Sequence, residues 1–487
     1  MSRRTRQNAP IYSADNAKQT RRLRRREVPG LAALPALMAS PPTITHATST
    51  QLAGSAVIPP WYPGAYTFSG GVVAKGTVYP DYLGYGTQAM YTNTSSSAWA
   101  AECDLDIADS NGRFEIQMKP DGAGAVRIGI SSNGGPMQYV SAAPSIYHDS
   151  TNTFHLVTMG APGRFRVRLE MSGNARFNGI AVAVTDTVRA VRPPAKRLVV
   201  PGDSFSEPTI QDSNQTCGND GWVQRLGLLL GVNAISAGSG GTGYMNPGAG
   251  GRTTFRGRST DWLSLLSPGD ILLFAGGIND TSYTAAQVGA EAAACFALCP
   301  PGVELVVLSP FWPRGFQSFS SNLLAIRDAI KAAALGAGAT YLDLLQLPSP
   351  EALPAPTTLA AATTGTPSTV SSNASYGGGT IVQIGTDTNA EVRMVTGVSG
   401  AGPYTLSFGG SYNGLPGGGN LARTHNLGDP IIPCGPSYVT GTGKQGTTAG
   451  DGNADRYTGA DATHPTAAGH LNIAIQVMSL YAAKLEN

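Results

Sequence analysis

Hydrophobic and polar residues alternate with a period of two through much of residues 65–191. Phe114, Ile116 and Met118 take turns with Glu115, Gln117 and Lys119. Val126, Ile128 and Ile130 follow the turn residues Asp121-Gly122, and Phe165, Val167, Leu169 and Met171 alternate with Arg164, Arg166, Arg168 and Glu170. Ile180, Val182 and Val184 repeat the pattern after Ser172-Gly173-Asn174. Successive side chains of a strand point to opposite faces, so these runs read as half-buried strands. Separated by Gly/Asn turns, they predict an antiparallel β-sandwich over residues 60–192, with Arg164, Arg166 and Arg168 on one solvated face.

The pattern changes after Arg192-Pro193-Pro194-Ala195-Lys196, which reads as a stiff junction. From Arg197 onward, short fully apolar runs (Leu198–Val200, Val232–Ile235, Leu272–Phe274, Val303–Leu308) alternate with stretches of helical period. The first helix carries Trp222, Leu226, Leu229 and Leu230 on one side, and others are expected over Thr284–Leu298 and Asn322–Leu335. Strands alternating with helices predict a parallel sheet covered on both faces. This α/β domain is expected over 197–350 and 451–487. Between its parts lies a β-rich insertion, 351–450, with strands around Thr380–Ile384 and Glu391–Val395, a Gly-rich stretch at Gly409–Asn420, and Ile431-Ile432-Pro433. Because it precedes the last helix, it is expected beside the mouth of any site there, as a lid, a sugar-binding flap or an oligomer contact.

Composition adds constraints. At 487 residues the chain needs more than one domain, and 62 glycines and 34 prolines with 13% charged residues fit turn-rich β structure. No apolar run reaches the eighteen or so residues of a membrane-spanning helix. The five cysteines (Cys103, Cys217, Cys295, Cys299, Cys434) are scattered and imply no disulfide framework; Cys295 and Cys299 share a helical face and read as core. The net charge of +2 is unevenly placed. Residues 1–26 hold eight arginines and Lys18 against Asp15 alone, so the rest of the chain is net acidic. Residues 1–40 read as a basic, disordered arm suited to an acidic partner or nucleic acid, or to tethering the protein to a larger assembly. A secretion signal fits less well, because Pro29, Gly30 and Pro35 interrupt the apolar patch Val28–Met38.

Candidate chemistry gathers at strand ends. Leu198-Val199-Val200 stops at Pro201-Gly202, which leaves Ser204 exposed at the carboxyl edge of a sheet, where ligands bind in open α/β folds. Asp203 can cap the segment beyond this strand by accepting a backbone N–H. A serine needs a base, and His464 in Asp461-Ala-Thr-His464 has a carboxylate spaced to orient it. Asp461 or Thr463 could instead serve only to cap the last helix. Oxyanion donors are available from the glycine-rich Ser236–Tyr244, after Val232–Ile235, and from Asn279 at the tip of Leu272–Asp280. Gly238-Ser-Gly-Gly-Thr-Gly243 also matches the dinucleotide fingerprint. The continuation Tyr244-Met-Asn-Pro-Gly-Ala-Gly-Gly cannot start the helix that fingerprint requires, so nucleotide binding is rejected. The sequence contains no phosphate-binding loop, H-E-x-x-H or paired-cysteine metal motif.

In order, G-D-S-F, G-S-G-G-T-G, G-I-N-D and D-A-T-H resemble the blocks of the SGNH (GDSL) hydrolase family, over about half of the chain. The resemblance implies a flavodoxin-like three-layer α/β/α domain. It makes Ser204 the nucleophile and first oxyanion N–H, Gly241 the second donor (with Gly240 an alternative), and the Asn279 amide the third. His464 becomes the base and Asp461 its partner, with no cofactor or metal. The β domain in front is similar to the jelly-roll domains of some carbohydrate esterases. The expected function is a serine esterase that removes short acyl groups, acetyl first, from a carbohydrate. A non-catalytic carbohydrate-binding protein on the same scaffold and a short-chain lipase are the rivals, and incidental activity on a nucleic-acid-binding protein is a third possibility. The basic arm and β-rich parts fit an extracellular or phage-virion component that trims acetylated polysaccharide, in a possible homo-oligomer; a secreted bacterial esterase is the plainer setting.

Overall fold

A five-stranded parallel sheet carries the residues of interest. The computed structural model describes residues 35–71, 73–75, 83–85, 98–119, 124–147, 153–173, 175–207, 218–311, 321–344, 355–378, 380–386, 389, 391–412, 415–416, 419–435 and 463–486. The strands are β1 (Arg197–Gly202), β2 (Asn233–Gly238), β3 (Ile271–Phe274), β4 (Glu304–Leu308) and β5 (Thr340–Leu342). Their order is β2-β1-β3-β4-β5, with every neighbouring pair parallel. This is the doubly wound order in which the chain leaves β1 for one side and later returns to the other, opening a crevice at the carboxyl ends of β1 and its neighbours.

Five described helices cover the sheet: α1 (Trp222–Leu230), α2 (Ser259–Leu263), α3 (Ala285–Phe296), α4 (Ser321–Gly336) and α5 (Ala467–Glu486). Leu198 and Val200 of β1 face a core with Trp222 and Leu226 of α1 and Ile473 and Val477 of α5. Val199 points the other way, into a core with Trp262 of α2, Val288 of α3 and Ile326 of α4. An all-apolar strand forms because both of its faces are buried. Helix starts follow local chemistry. Thr284 and Gln287 form a reciprocal capping box ahead of α3. Thr466 Oγ1 accepts the Gly469 N–H at the start of α5.

The alternating region builds two further sheets of eight and seven strands that enclose one core. Phe165, Val167, Leu169 and Met171 of one sheet meet Phe114, Ile116, Phe177, Ile180 and Val182 of the other. Pairing is antiparallel apart from Ala36–Leu37 beside Gln138–Tyr139, and strands at Ala36–Leu37, Thr43–Ala47 and Ser55–Ile58 join these sheets as well. Three local expectations change. Val184 is 79% exposed because its strand ends at Ala183 and turns, with the Asp186 N–H on Ala183 O. Glu115, Gln117 and Lys119 are buried rather than solvated; the strand of Glu115 and Gln117 lies between two others, and the Glu115 carboxylate accepts the Gln51 N–H. Arg168 leaves the solvated set: it is part-buried between Glu102 and Glu170, whereas Arg164 and Arg166 stay exposed beside Asp106 and Asp104.

The sandwich is bolted to the α/β domain at the entry to α1. Arg127 donates to Glu170 at 2.6 Å and to Asp220 at 2.8 Å, all three side chains being almost fully buried. Asn219 Nδ2 donates to the carbonyls of Trp99 and Met171, one on each of two adjacent sandwich strands. The insertion forms a four-stranded and a three-stranded sheet around Leu359, Val382, Ile384, Leu406 and Ile431. Residues 345–354 and 436–462, which join it to the α/β domain, lie outside the described residues, as do residues 1–34 of the expected arm and Cys217; Ala36–Leu37 of that arm is instead a sandwich strand. Cys103 and Cys295 are buried and Cys299 is half-buried, and all three are unbridged. Burial pushes the Cys295 thiol up to about 12, as expected of a core residue. Among the described residues no helix is long and apolar enough to cross a membrane, and no group of three or more His, Cys, Asp or Glu could hold a metal.

Candidate active site

Ser204 lies two residues beyond the end of β1, in a turn tied back to Asp203. The Ser206 and Glu207 N–H groups both donate to Asp203 O, and the Phe205 N–H donates to Asp203 Oδ1 at 2.9 Å. Ser204 is 9% exposed, the opening that remains after Phe205 turns inward to stack on Phe311 at 4.9 Å. Among the described residues its hydroxyl makes no hydrogen bond.

The glycine-rich loop leaves the end of β2, next to β1. The Thr242 N–H donates to Ser239 O at 3.2 Å, and Gly241 has φ +72°. These are the marks of a tight turn with Gly240 and Gly241 at its centre. A methyl group placed on Gly240 would lie 3.6 Å from Ser204 Cβ, so this turn packs against the serine. The Gly240 N–H is already taken, donating to Glu207 Oε2 at 2.5 Å. The Gly241 N–H has no partner among the described residues. Of the two glycines left open by the sequence, Gly241 is therefore the one whose N–H is available to a ligand.

Asn279 sits in a single 3-10 turn just beyond β3, after Gly277 with φ +119°. One of its amide hydrogens is held by Thr242 O at 3.0 Å, which leaves the second uncommitted. His464 comes from the other side, two residues before the cap of α5. Its ring centroid lies 5.9 Å from that of Phe205. Burial pushes the nearby Glu207 carboxyl up, against the Gly240 N–H, Arg252, Arg258 and, least of these, His464. Ser204, Gly241, Asn279 and His464 are thus gathered at the carboxyl edge of β2-β1-β3. Asp461 lies outside the described residues.

A scan of the sequence against models of protein families finds no match, and a search of curated proteins finds none either. Solved structures do match. One is a family two carbohydrate esterase from Cellvibrio japonicus, 13% identical, over 62% of this chain and 88% of that one, with a TM-score of 0.42. Another is a salicylyl-acyltransferase from a tetracycline biosynthetic pathway, 12% identical, over 62% and 88%, TM-score 0.44. A third is a family two carbohydrate esterase from Clostridium thermocellum in complex with cellohexaose, 13% identical, over 57% and 88%, TM-score 0.42. A putative GDSL-like lipase from Bacteroides ovatus also matches, 14% identical, over 62% of this chain and 87% of that one, TM-score 0.38.

Four residues of the candidate site were not singled out from the sequence. Asp280 accepts the N–H groups of Tyr244, Met245 and Asn246, which fixes the loop that Asn279 also holds. Arg258 donates to Ala237 O at 2.5 Å and to Gly202 O at 2.7 Å, tying together the ends of β2 and β1. Glu207 and Arg252 hold Gly240 from its two sides, on its N–H and its carbonyl. Asp280 and Glu207 stand inside or beside recognisable blocks, one residue after Asn279 and three after Ser204, and that adjacency was the available signal. Arg252 and Arg258 carry no such mark. Asp203 has a further property: burial, with the charge of Asp280 adding to it, pushes its carboxyl up to about 7, against hydrogen bonding from Phe205 and the pull of Arg258.

Proposed function

We propose that this chain is a serine ester hydrolase that removes short acyl groups, chiefly acetyl, from a carbohydrate. The observation that carries the reading is one edge of one sheet. There, among the described residues, stand a serine hydroxyl without a hydrogen-bond partner, a neighbouring glycine N–H and an asparagine amide hydrogen both uncommitted, and a histidine arriving beside the last helix. Ser204 Oγ attacks the ester carbonyl while His464 takes its proton. The carbonyl oxygen becomes an oxyanion held by the Ser204 and Gly241 N–H groups and the Asn279 amide. As the tetrahedral adduct collapses, the C–O bond to the sugar breaks and His464 protonates the leaving alcohol. Water, deprotonated by His464, then releases the acid and restores Ser204. Asp461 is the proposed orienting partner of His464.

Small residues dominate the turn beside Ser204, which favours an acetyl group over a long acyl chain. Hydrolysis of p-nitrophenyl acetate, butyrate and octanoate by the wild type and Ser204→Ala tests the reading. The expected result is a preference for acetate and a loss of roughly a thousandfold or more in the variant. A wild type that hydrolyses neither these esters nor acetylated polysaccharide would return the chain to a binding role. The setting we propose is extracellular, on a phage particle, with the basic residues 1–26 as tether. Full-length protein that fails to sediment with particles would favour a secreted esterase.

A further inference from the structure

The peptide bond between Gly240 and Gly241 is the central one of its turn. Gly240 does not have positive φ and Gly241 has φ +72°, so the turn is of type II. Types I and II differ by a reversal of that central peptide, and glycine accepts both conformations at little cost. With glycine on both sides, nothing in the turn itself prevents the reversal. The C=O of Gly240 and the N–H of Gly241 belong to this one trans peptide and point in opposite directions. A reversal would therefore remove the Gly241 N–H from its present direction and put a carbonyl oxygen in its place. An acceptor there would repel an oxyanion.

Two charged side chains reach this turn from outside it: Arg252 holds the carbonyl of the central peptide, and Glu207 holds the N–H of the peptide before it. Arg252 Nη1 donates to Gly240 O at 2.5 Å, and Glu207 Oε2 accepts the Gly240 N–H at 2.5 Å. Both are charge-assisted contacts, stronger than neutral ones. Glu207 is 8% exposed, so its bond is largely shielded from competing water. We propose that Arg252 and Glu207 are positioning residues: Glu207 anchors the Ser239–Gly240 peptide, and Arg252, on the Gly240 carbonyl, holds the next peptide so that the Gly241 N–H is presented to the reacting carbonyl. The cation on Gly240 O also polarises the same peptide and strengthens its N–H as a donor. This inference deepens the esterase reading and rests on it for its catalytic consequence, though not for the geometry of the clamp.

The test uses full-length Arg252→Met, Arg252→Gln and Arg252→Lys, with p-nitrophenyl acetate as substrate and methylboronic acid as a tetrahedral, anionic inhibitor. In Arg252→Met, kcat should fall about 10- to 100-fold, less than or close to the loss of a whole oxyanion donor. KM should stay within about threefold, and boronate affinity should weaken in parallel with kcat. Arg252→Lys and Arg252→Gln, which can still donate to Gly240 O, should recover a large part of both losses. A Met variant with kcat and boronate affinity within about twofold of the wild type overturns the clamp. So does a loss shared equally by all three variants. Crystal structures of the wild type and Arg252→Met supply a readout that needs no turnover: the 240–241 peptide should reverse, or divide between two orientations, in the variant. An unchanged peptide overturns the proposal. A reversed peptide in a protein whose wild type hydrolyses no ester keeps the clamp and discards the esterase reading.

Discussion

Two buried carboxylates of this molecule are treated in opposite ways. Glu170, at the seam between the sandwich and the α/β domain, and Asp203, beside Ser204, are each 0% exposed. Burial alone would raise both. At Glu170 it is overcome by Arg127, Arg168 and Arg225, which hold the carboxyl at about 2, and Tyr139 adds its hydroxyl at 3.0 Å. Asp203 receives the Phe205 N–H on one oxygen, while Oδ2 has no partner among the described residues, and its carboxyl rises to about 7. The first arrangement is a charge-compensated bolt that fixes two domains. The second leaves a charge undercompensated next to the Ser204 hydroxyl, as sites of chemistry tend to do.

The hardest blow to this contrast falls on the bolt. Arg127→Met would leave Glu170 and Asp220 buried without their shared cation, and should cost about 3–5 kcal/mol in urea unfolding at pH 7. A loss under about 1 kcal/mol would show that the seam does not depend on the pair. The wild-type bolt should hold down to about pH 4.5 and weaken as pH falls towards 2, because Glu170 is depressed from 4.5 to about 2. Asp203 has the reverse sign. Its folded carboxyl is raised from 3.8 to about 7, so its contribution is full below about pH 4 and is lost as pH rises towards 7. Asp203→Asn keeps the acceptor for the Phe205 N–H without the charge. Relative to the wild type, it should be more stable at pH 7.5 than at pH 4 by roughly 2–4 kcal/mol. A difference that does not change with pH would show that Asp203 is not the undercompensated group. The smallest effect supplies a reference. Thr466→Ala removes the cap of α5 and should cost about 1 kcal/mol at both pH values. A pH-dependent loss there would mean that α5 is coupled to the carboxylates after all.

Much of the layout could be read from side-chain period. Phe114, Ile116 and Met118 do face the sandwich core, and Leu198–Val200 is buried on both faces because helices cover both sides of its sheet. The pattern misleads where a second contact decides. Glu115 looks solvated until neighbouring strands and Gln51 cover it, and Val184 continues the alternation just past the end of its strand. Within the candidate site, Ser204, Asn279 and His464 stand in recognisable blocks. The choice between Gly240 and Gly241 does not, because it depends on which N–H Glu207 occupies.

The sequence by itself determined the alternating strands of residues 98–183 and the strand–helix alternation after Arg197, and it singled out Ser204, Asn279 and His464 as candidates. These follow from local chemistry: period, turn residues and short spacings. The tertiary structure alone decided the rest. Arg127 meets Asp220 across 93 residues, Arg258 spans the ends of two strands, and Arg252 reaches back 12 residues to a carbonyl beside Ser204. Such contacts leave no periodic trace, since a guanidinium on a long side chain can serve almost any carboxylate or carbonyl within reach. Only the folded chain determines which one it finds.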